Sequence, residues 1–395
     1  MGGRIVESFI IRFSANIMRP AAILLWLAFS LSSAAAVTAR PHHWTEAEAN
    51  DWYAKQPWMV GVNFIASYAS NQMEMWQEET FDAVEVDREL EWAQQMGINT
   101  IRVFLHDLLY QRDPSGLEKR MNAFLRVADK HRIRTIFVLF DSRFNPFPEA
   151  GLQRPPKAGI YNSAWVQSPG ATALMDPRQS KRLLAYVQEI ILYFSSDKRI
   201  AAWDLWNEPD NRNFGDYAKL EPPNKVDLVT AFLPQVFTYA RAALPSQPIT
   251  SGLWSGTDWN DPAKLTPIQK IQIENSDILS FHNYDGPEEF EKRIQWLQAY
   301  HRPILCTEYL ARSRGSTPQA ILPVAKKYNV GAFAWGFVAG CSQSFLPPDS
   351  WDHPYPDTPA NWNQDLLRFS GKPYSEQETD FIRGIAAQPP PPRGK

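Results

Sequence analysis

Cysteine is scarce in this sequence, and its scarcity excludes a scaffold built on disulfides. Only Cys306 and Cys341 occur among 395 residues, so the burial of apolar side chains must stabilise the fold. Both cysteines fall near predicted strands late in the chain. A single bridge between them is an open alternative, but we favour the interpretation of two free, buried thiols.

An excess of positive charge is also missing. The chain has 40 Lys and Arg residues against 43 Asp and Glu residues, which gives a formal net charge of -3. A protein that binds a phosphate backbone carries a basic surface. We therefore expect no nucleic-acid partner.

The sequence contains no strongly apolar run long enough to cross a membrane. The strongest run, Ala21 to Leu31, is shorter than the ~20 residues that a membrane-spanning helix needs. Three arginines precede it and the small residues 32–36 follow it, an order that is typical of a secretory signal peptide. We expect residues 1–36 to be removed and the mature protein to be secreted or periplasmic, without stable membrane association. An uncleaved anchor is the alternative.

Eight short apolar runs alternate with helical patterns from residue 58 onward. Most runs are apolar on both faces, as parallel strands are when helices cover the sheet outside and side chains fill it inside. This alternation predicts an α/β fold, a (β/α)8 TIM barrel, as one domain over residues 37–387. The proline-rich residues 388–395 are expected to form a disordered tail. The predicted strands are Met59 to Ile65, Thr100 to Leu105, Thr135 to Phe140, Ala201 to Trp206, Ile249 to Leu253, Ile278 to His282, Ile304 to Thr307 and Gly331 to Phe337.

The helices between these runs carry recognisable start and stop signals. A helical pattern from Val84 to Met96 ends at Gly97, and Asp176 followed by Pro177 suits a helix N-terminus. From Leu117 to His131 the apolar residues recur at spacings of three and four. That spacing predicts one buried stripe resting on the barrel.

Two connections are much longer than a βα loop requires. They are residues 141–175 after strand 3 and residues 339–362 after strand 8. Loops after the strands of a (β/α)8 barrel surround its active site, so we expect ordered walls there, with disorder as the alternative. Ordered walls are favoured by the aromatic residues Tyr161, Trp165, Trp351, Tyr355 and Trp362.

A glutamate ends each of two predicted strands. Strand 4 runs into Asn207-Glu208-Pro209, and strand 7 runs into Glu308. Glycoside hydrolysis needs two carboxyl groups, one to protonate the leaving oxygen and one as an anion, about 5 Å apart when configuration is retained. A salt-bridged carboxylate at the rim is the alternative for either residue alone. The two together favour a catalytic pair.

The chemistry requires the two carboxyl groups to differ in protonation state. Arg102, at the end of strand 2, and Tyr284, after strand 6, are expected to donate hydrogen bonds to Glu308 and keep it anionic. That fixed negative charge is expected to raise the pKa of Glu208, which would keep it protonated as the general acid.

The ordered set of strand ends resembles glycoside hydrolase family 5, a family of retaining (β/α)8 enzymes, and the match runs from strand 1 to strand 8. In that family Asn-Glu-Pro closes strand 4, a glutamate closes strand 7, an arginine closes strand 2, His and Tyr close strand 6, and Trp closes strand 8. This chain has, at those places, Asn207, Glu208, Pro209, Glu308, Arg102, His282, Tyr284 and Trp335.

The resemblance and the chemistry together imply roles for these residues. Glu208 is expected to be the acid/base and Glu308 the nucleophile. Asn207 is expected to bind the sugar 2-hydroxyl, Trp335 to form the apolar floor beneath that sugar, and His282 to orient Glu208 or a sugar hydroxyl. We expect no cofactor and no metal ion, because too few His, Asp and Glu residues gather at the other strand ends.

One position departs from the family pattern. The family usually has a histidine at the end of strand 3, whereas this chain reads Phe140-Asp141-Ser142. Asp141 is the first candidate to take over contact with the sugar. His106, just beyond strand 2, is the alternative substitute.

The sequence favours a monomeric, endo-acting retaining enzyme on a β-linked oligo- or polysaccharide from plants or microbes. An exo-acting β-glycosidase or a transglycosylase would use the same residues. A carbohydrate-binding barrel without catalysis would have lost a carboxylate, and a metal-dependent barrel enzyme would need more ligands. Cellulose, xylan, mannan and mixed-linkage glucans all stay open, since loop contacts decide among them.

Overall fold

The computed structural model of the protein describes residues 42–389. The predicted signal peptide, residues 1–36, and residues 390–395 of the predicted tail lie outside the described residues. Across the described part, no helix combines the length and apolarity needed to cross a membrane.

Eight parallel strands form the centre of the fold and confirm the predicted (β/α)8 barrel. Their hydrogen-bonded order is β5-β4-β3-β2-β1-β8-β7-β6. The remaining gap between β5 and β6 is closed just beyond β5, where the Leu253 N–H donates to the Ser280 carbonyl at 2.9 Å and the Leu253 carbonyl accepts from the His282 N–H at 2.8 Å. The strands are β1 Val60–Asn63, β2 Thr100–Phe104, β3 Arg134–Asp141, β4 Ile200–Asn207, β5 Ile249–Thr250, β6 Leu279–His282, β7 Ile304–Tyr309 and β8 Gly331–Trp335.

Helices surround the sheet between successive strands. One helix before β1, α1, packs Tyr53 into a buried cluster with Met59, which directly precedes β1, and with Phe333 of β8. It thereby covers the amino-terminal end of the barrel. The helices within the described residues are α1 Glu46–Ala54, α2 Gln72–Trp76, α3 Ala83–Gln95, α4 Asp107–Arg112, α5 Pro114–Lys130, α6 Ala171–Met175, α7 Ser180–Tyr193, α8 Gly215–Ala218, α9 Lys225–Ala242, α10 Pro267–Asn275, α11 Pro287–Gln298, α12 Pro318–Lys327 and α13 Glu376–Ala387.

Local sequence signals explain several of these boundaries. Helix α3 begins after Asp82, whose side chain accepts from two backbone N–H groups, and it ends before Gly97 at a φ of 81°. The predicted stripe on α5 is fully buried against the barrel. Asp176 caps a short 3-10 turn, Pro177–Gln179, that leads into α7.

The two long loops are ordered and stand at the carboxyl ends of the strands. The first covers residues 142–170, between β3 and α6. The second covers residues 336–375, contains a 3-10 turn at Pro348–Trp351 and reaches α13. It is therefore longer than the predicted 339–362, because no regular helix follows β8 until the N-cap Ser375. We call these the β3 loop and the β8 loop.

Both cysteines are free thiols. Cys306 is buried in β7, as predicted, but Cys341 is exposed in the β8 loop. The prediction of a buried Cys341 was wrong, because the residue lies in a loop over the barrel mouth rather than in β8.

Candidate active site

The carboxyl ends of the strands surround a cavity of about 160 Å³. Parallel strands place their final side chains at the same end of a barrel, which is where (β/α)8 enzymes carry their sites. The cavity brings together six of the residues predicted from the sequence, namely Asp141, Asn207, Glu208, Tyr284, Glu308 and Trp335.

Glu208 follows the last residue of β4 and is buried. Its φ is 45°, a left-handed conformation that is rare for a side chain of this kind and that turns the chain sharply out of the strand. Its Oε1 lies 2.9 Å from His282 Nδ1, and its Oε2 accepts from Asn211 Nδ2 at 2.8 Å. The turn therefore directs the carboxylate across the barrel mouth toward β6.

Glu308 lies in β7, three strands farther round the barrel. Its Oε1 accepts from Arg102 Nη1 at 2.7 Å, and its Oε2 accepts from the Tyr284 hydroxyl at 2.6 Å. A guanidinium and a phenol thus hold the two oxygens from different sides. A charge-assisted bond such as the one from Arg102 is short and directional, so it fixes the orientation of the carboxyl group.

The two carboxylates are close neighbours. His282 Nδ1, 2.9 Å from Glu208, is also 3.3 Å from Glu308 Oε2. One oxygen of each glutamate and a ring nitrogen of His282 all lie within 4.8 Å of one another. This separation matches the short spacing of a carboxylate pair that works by double displacement, rather than the wider spacing that leaves room for a water between them.

Arg102 connects the strand ends beneath the cavity. The side chain is fully buried, and besides Glu308 it donates to Asp204 Oδ2 at 2.8 and 3.0 Å, to Asn207 Oδ1 at 2.7 Å and to Asn63 Oδ1 at 2.8 Å. The planar fork of a guanidinium is the group that can serve several oxygens at fixed angles. It fixes β1, β2, β4 and β7 relative to one another.

The pKa of Glu208 departs from the sequence expectation. Burial alone raises it, but Arg143, whose Nε is 3.6 Å from Oε2, and His282 lower it by more, so the net pKa lies below the usual glutamate value. The expectation of a raised pKa was therefore wrong for the free protein. It failed because it considered the charge of Glu308 and left out Arg143.

Asp141 ends β3 and is buried beside Asn207. Its Oδ1 accepts from Asn207 Nδ2 at 2.9 Å and its Oδ2 from Trp165 Nε1 at 2.6 Å. Burial raises the pKa of Asp141 to about 7, with Glu208 adding to the rise. Asp141 therefore fixes the amide of Asn207 and reaches the cavity wall.

Trp335 closes β8 and is half-buried. Its ring meets Phe104 at 5.7 Å and Trp165 at 5.9 Å in edge-to-face contacts. These neighbours fix the indole, and the indole lines the cavity. A rigid aromatic surface of this kind suits the apolar side of a sugar ring.

His106 does not reach the cavity. Its Nδ1 accepts from the Leu108 N–H at 3.2 Å, and its Nε2 lies 2.8 Å from the Gln167 carbonyl. It is the N-cap of α4 and fully buried. The structure therefore does not bring His106, the alternative to Asp141, to the cavity, because the residue caps α4 and is buried against Gln167.

Glu208, His282 and Glu308 are also the described residues whose ligand atoms are close enough to hold a metal ion. Each glutamate already has an arginine beside it, because Arg102 bonds to Glu308 at 2.7 Å and Arg143 lies 3.6 Å from Glu208. A cation between the carboxylates would have to compete with both arginines. The arrangement therefore suits a pair of catalytic carboxyl groups better than a metal-binding site.

Sequence reasoning missed Arg143 and Asp204. Arg143 lies in the β3 loop, stacks on Phe144 at 4.9 Å and lines the cavity. A signal existed only for Asp204, because a charged residue in the middle of an apolar strand indicates a buried ion pair. The place of Arg143 depends on the path of a loop, which no periodicity specifies.

Comparison with known proteins supports the fold. No family model matches the chain, and no curated protein sequence matches it.

Among solved structures, the exo-β-1,4-mannosidase Op5Man5 from Opitutaceae bacterium strain TAV5 has a TM-score of 0.55 and 19% identity to this chain. The match covers 83% of this chain but only 59% of the length of that enzyme. The GH5_18 protein from Streptomyces cattleya, solved with GlcNAc, has a TM-score of 0.56 and 12% identity, covering 86% of this chain and 82% of that one. The β-1,4-D-mannanase from Cryptopygus antarcticus has a TM-score of 0.56 and 13% identity, covering 84% of this chain and 91% of that one. At these identities the similarity shows a barrel fold like that of family 5 glycosidases.

Proposed function

We propose that the protein is a retaining glycoside hydrolase that cleaves β-linked glycans by double displacement. The observation that carries the proposal is the pair Glu208 and Glu308, with carboxylate oxygens within 4.8 Å of each other in one cavity. The bonds from Arg102 and Tyr284 to Glu308 distinguish it from Glu208 and support its assignment as nucleophile.

In the first step, Glu308 attacks the anomeric carbon while Glu208 donates its proton to the leaving oxygen. A glycosyl ester forms on Glu308 as the glycosidic bond breaks. Asn207 binds the 2-hydroxyl of the sugar as the transition state develops, and its bonds to Arg102 and Asp141 support this role. Trp335 supports the apolar face of the same ring.

In the second step, Glu208 acts as base, takes a proton from water and directs the hydroxide to the anomeric carbon. The ester bond to Glu308 breaks, and the anomeric carbon regains the configuration that it had in the substrate. Arg143 and His282 lower the pKa of Glu208, which favours the anionic form that this step needs. A sugar hydroxyl in place of water would give transglycosylation.

The substrate proposed first is a β-1,4-linked mannoside. The solved structures of similar fold include proteins described as an exo-β-1,4-mannosidase and as β-1,4-mannanases. Glucosides and xylosides of the same linkage are the comparison substrates. A non-catalytic sugar-binding barrel would bind these glycans without turnover.

We also propose that the enzyme is secreted as a monomer after removal of residues 1–36. The apolar run behind three arginines supports export, and long glycans outside the cell are substrates that cannot enter it. N-terminal sequencing of the exported protein and its mass in solution test these two points.

The nucleophile assignment is tested by Glu308→Ala. We expect this variant to lose turnover of an aryl β-mannoside by at least ~1,000-fold, and added azide to restore it by producing an α-mannosyl azide, because azide enters the space of the missing carboxylate. Glu274→Ala, which truncates an exposed glutamate, is the control and should stay active. Normal hydrolysis by Glu308→Ala would overturn the assignment.

The acid/base assignment is tested by Glu208→Ala. Substrates whose leaving group needs no proton, such as dinitrophenyl glycosides, should still glycosylate Glu308, whereas alkyl and natural glycosides should react far more slowly. Equal losses on both classes of leaving group would overturn the acid role.

A further inference from the structure

The β3 loop and the β8 loop are joined across the barrel mouth. The Asn162 N–H donates to the Ser342 carbonyl at 3.0 Å, and the Gly159 carbonyl accepts from the Tyr355 N–H at 3.0 Å. Because β2 and β1 lie between β3 and β8 in the barrel, this junction closes the mouth above those two strands.

Gln343 is the most connected side chain of the junction. Its amide nitrogen donates to the carbonyls of Lys157 at 2.8 Å and Ile160 at 3.2 Å, and its oxygen accepts from the Gly159 N–H at 2.9 Å. Its φ is 56°, a left-handed conformation that glycine adopts without strain. One side chain of the β8 loop thus holds three backbone groups within residues 157–160 of the β3 loop.

Trp351 of the β8 loop fills the junction with apolar contacts. Its ring stacks on Phe144 at 6.0 Å with an interplanar angle of 19° and meets Tyr217 at 5.4 Å. Such aromatic pairs are worth about 0.5–1.5 kcal/mol each beyond their buried area. The junction is therefore a packed wall.

The two ends of the cavity differ in exposure. At the walled end, Tyr161, Trp165 and Gln364 line the cavity and are buried. At the other end, Trp254 is half-exposed and Arg314 is exposed. The cavity is open toward β5, β6 and β7, and closed toward β1 and β2.

The proposed chemistry defines how a glycan lies in this cavity, which is closed at one end and open at the other. Trp335, the floor for the reacting sugar, packs against Trp165 at the walled end. Trp254, after β5, lines the open side of the same cavity as Glu208, and we assign the departing leaving group to that side. We propose that the walled end accepts only a non-reducing terminal sugar, so that the enzyme removes units from chain ends. This inference rests on the proposed function and replaces the endo action that the sequence favoured.

Gln364 supplies an independent reason to expect a ligand group at the wall. It is buried, it lines the cavity, and its side-chain oxygen has no hydrogen-bond partner among the described residues. A buried acceptor without a partner costs free energy. A hydroxyl of the terminal sugar would satisfy it, whereas a longer chain would have to displace the wall.

The test uses a β-1,4-linked mannotetraose labelled at its reducing end, and the same tetraose with its non-reducing terminal 4-hydroxyl blocked by a bulky ether. We expect the labelled products to shorten one sugar at a time, and the blocked tetraose to react at least ten-fold more slowly. Labelled fragments of all lengths at the earliest times, or equal rates on both tetraoses, would overturn the inference.

Two variants open the wall. Gln343→Gly removes three hydrogen bonds without straining the backbone, and Trp351→Ala removes the aromatic packing. Each is expected to raise the rate on the blocked tetraose, relative to the free one, by at least five-fold. Leu152→Ala, which truncates a fully exposed residue of the same β3 loop, should leave that ratio unchanged. An unchanged ratio in folded Gln343→Gly and Trp351→Ala would contradict the role of the wall, and the wild-type comparison decides the question if either variant fails to fold.

A parallel assay with aryl β-mannoside, β-glucoside and β-xyloside separates the two proposals. Turnover of an aryl glycoside together with internal cleavage of the tetraose would overturn the chain-end inference alone. No turnover of any aryl glycoside or of the tetraose would overturn the proposed function, and the inference with it.

Discussion

Arg102 is the residue on which the geometry of the site depends most. Its guanidinium is fully buried and bonds to Asp204, Asn207 and Glu308. Asp204 and Asn207 lie on β4 and Glu308 lies on β7, so one planar group sets the distance between the proposed nucleophile and the residue proposed to bind the sugar. Two buried carboxylates would be left uncompensated without it.

Arg102→Met is expected to lower the free energy of unfolding by about 3 to 5 kcal/mol, because it breaks a buried ion pair by removing one partner. The double variant Arg102→Met with Asp204→Asn should recover part of that loss, since the second change removes one uncompensated charge. Denaturant unfolding measures both. A loss below about 1 kcal/mol in Arg102→Met would contradict the account.

Arg143→Met is expected to move the alkaline limb of the kcat/KM profile to higher pH. Arg143 lowers the pKa of Glu208, so its removal raises that pKa and keeps the general acid protonated to higher pH. The pH dependence of aryl β-mannoside hydrolysis measures the shift.

Arg314→Met is the matched control for that profile. Arg314 lines the same cavity but is exposed and paired with Asp285, so its removal should leave the limb in place. Equal shifts of the alkaline limb in both variants would mean that the net charge of the cavity, and not the contact between Arg143 and Glu208, sets the pKa of Glu208.

The residues at strand ends could be predicted from the sequence, and those in loops could not. Glu208 and Glu308 follow apolar runs whose length and pattern fix where each strand stops, so their meeting at one end of the barrel follows from the fold. Arg143 and Gln364 reach the cavity from loops, whose course depends on tertiary contacts such as the bonds of Gln343.

At the scale of elements, helix α3 holds the segment after β1 through a buried carboxylate. Glu89 is fully buried and accepts from the Ser67 N–H at 3.0 Å, while the Ser67 hydroxyl lies 3.4 Å from Glu85. Burial raises the pKa of Glu89 to about 8, and Glu85 adds to the rise. The folded protein therefore holds a proton at neutral pH that the unfolded chain releases.

Glu89→Gln is expected to weaken the pH dependence of stability. The folded pKa of about 8 lies above the ordinary glutamate value of about 4.5, so this group makes the folded state less stable as pH rises from about 4.5 to 8, by up to ~1.4 kcal/mol per unit. Glutamine cannot ionise and lacks this decline. Thermal unfolding between pH 5 and pH 8 should show a smaller fall in Tm for the variant.

Glu91→Gln, on the same helix but exposed, should follow the wild-type slope. If Glu89→Gln follows it as well, the buried carboxylate does not hold its proton in the folded state.

Element type was easier to predict than element length. All eight strands occur where the apolar runs predict them, but β5 covers only Ile249–Thr250, because its later residues bond to β6 as an isolated bridge. Helix α1 had no predicted counterpart, since it contributes little apolar periodicity. The β8 loop was underestimated because its contacts are with the β3 loop and not with a regular neighbour.

At the scale of the whole molecule, the alternation of strands and helices was sufficient to predict the barrel, and the barrel was sufficient to predict that Glu208 and Glu308 meet at one end. The shape of the cavity was not predictable in the same way. It depends on two loops that close one side of the mouth by contacts between residues nearly 200 positions apart, such as Gly159 and Gln343.

The configuration of the first product tests the central claim most directly. Proton NMR of a β-mannoside hydrolysis, recorded before the released sugar equilibrates in water, distinguishes the two anomers. Because Glu208 and Glu308 lie within 4.8 Å of each other, we predict that the β-anomer appears first. First appearance of the α-anomer would show inversion and contradict the account.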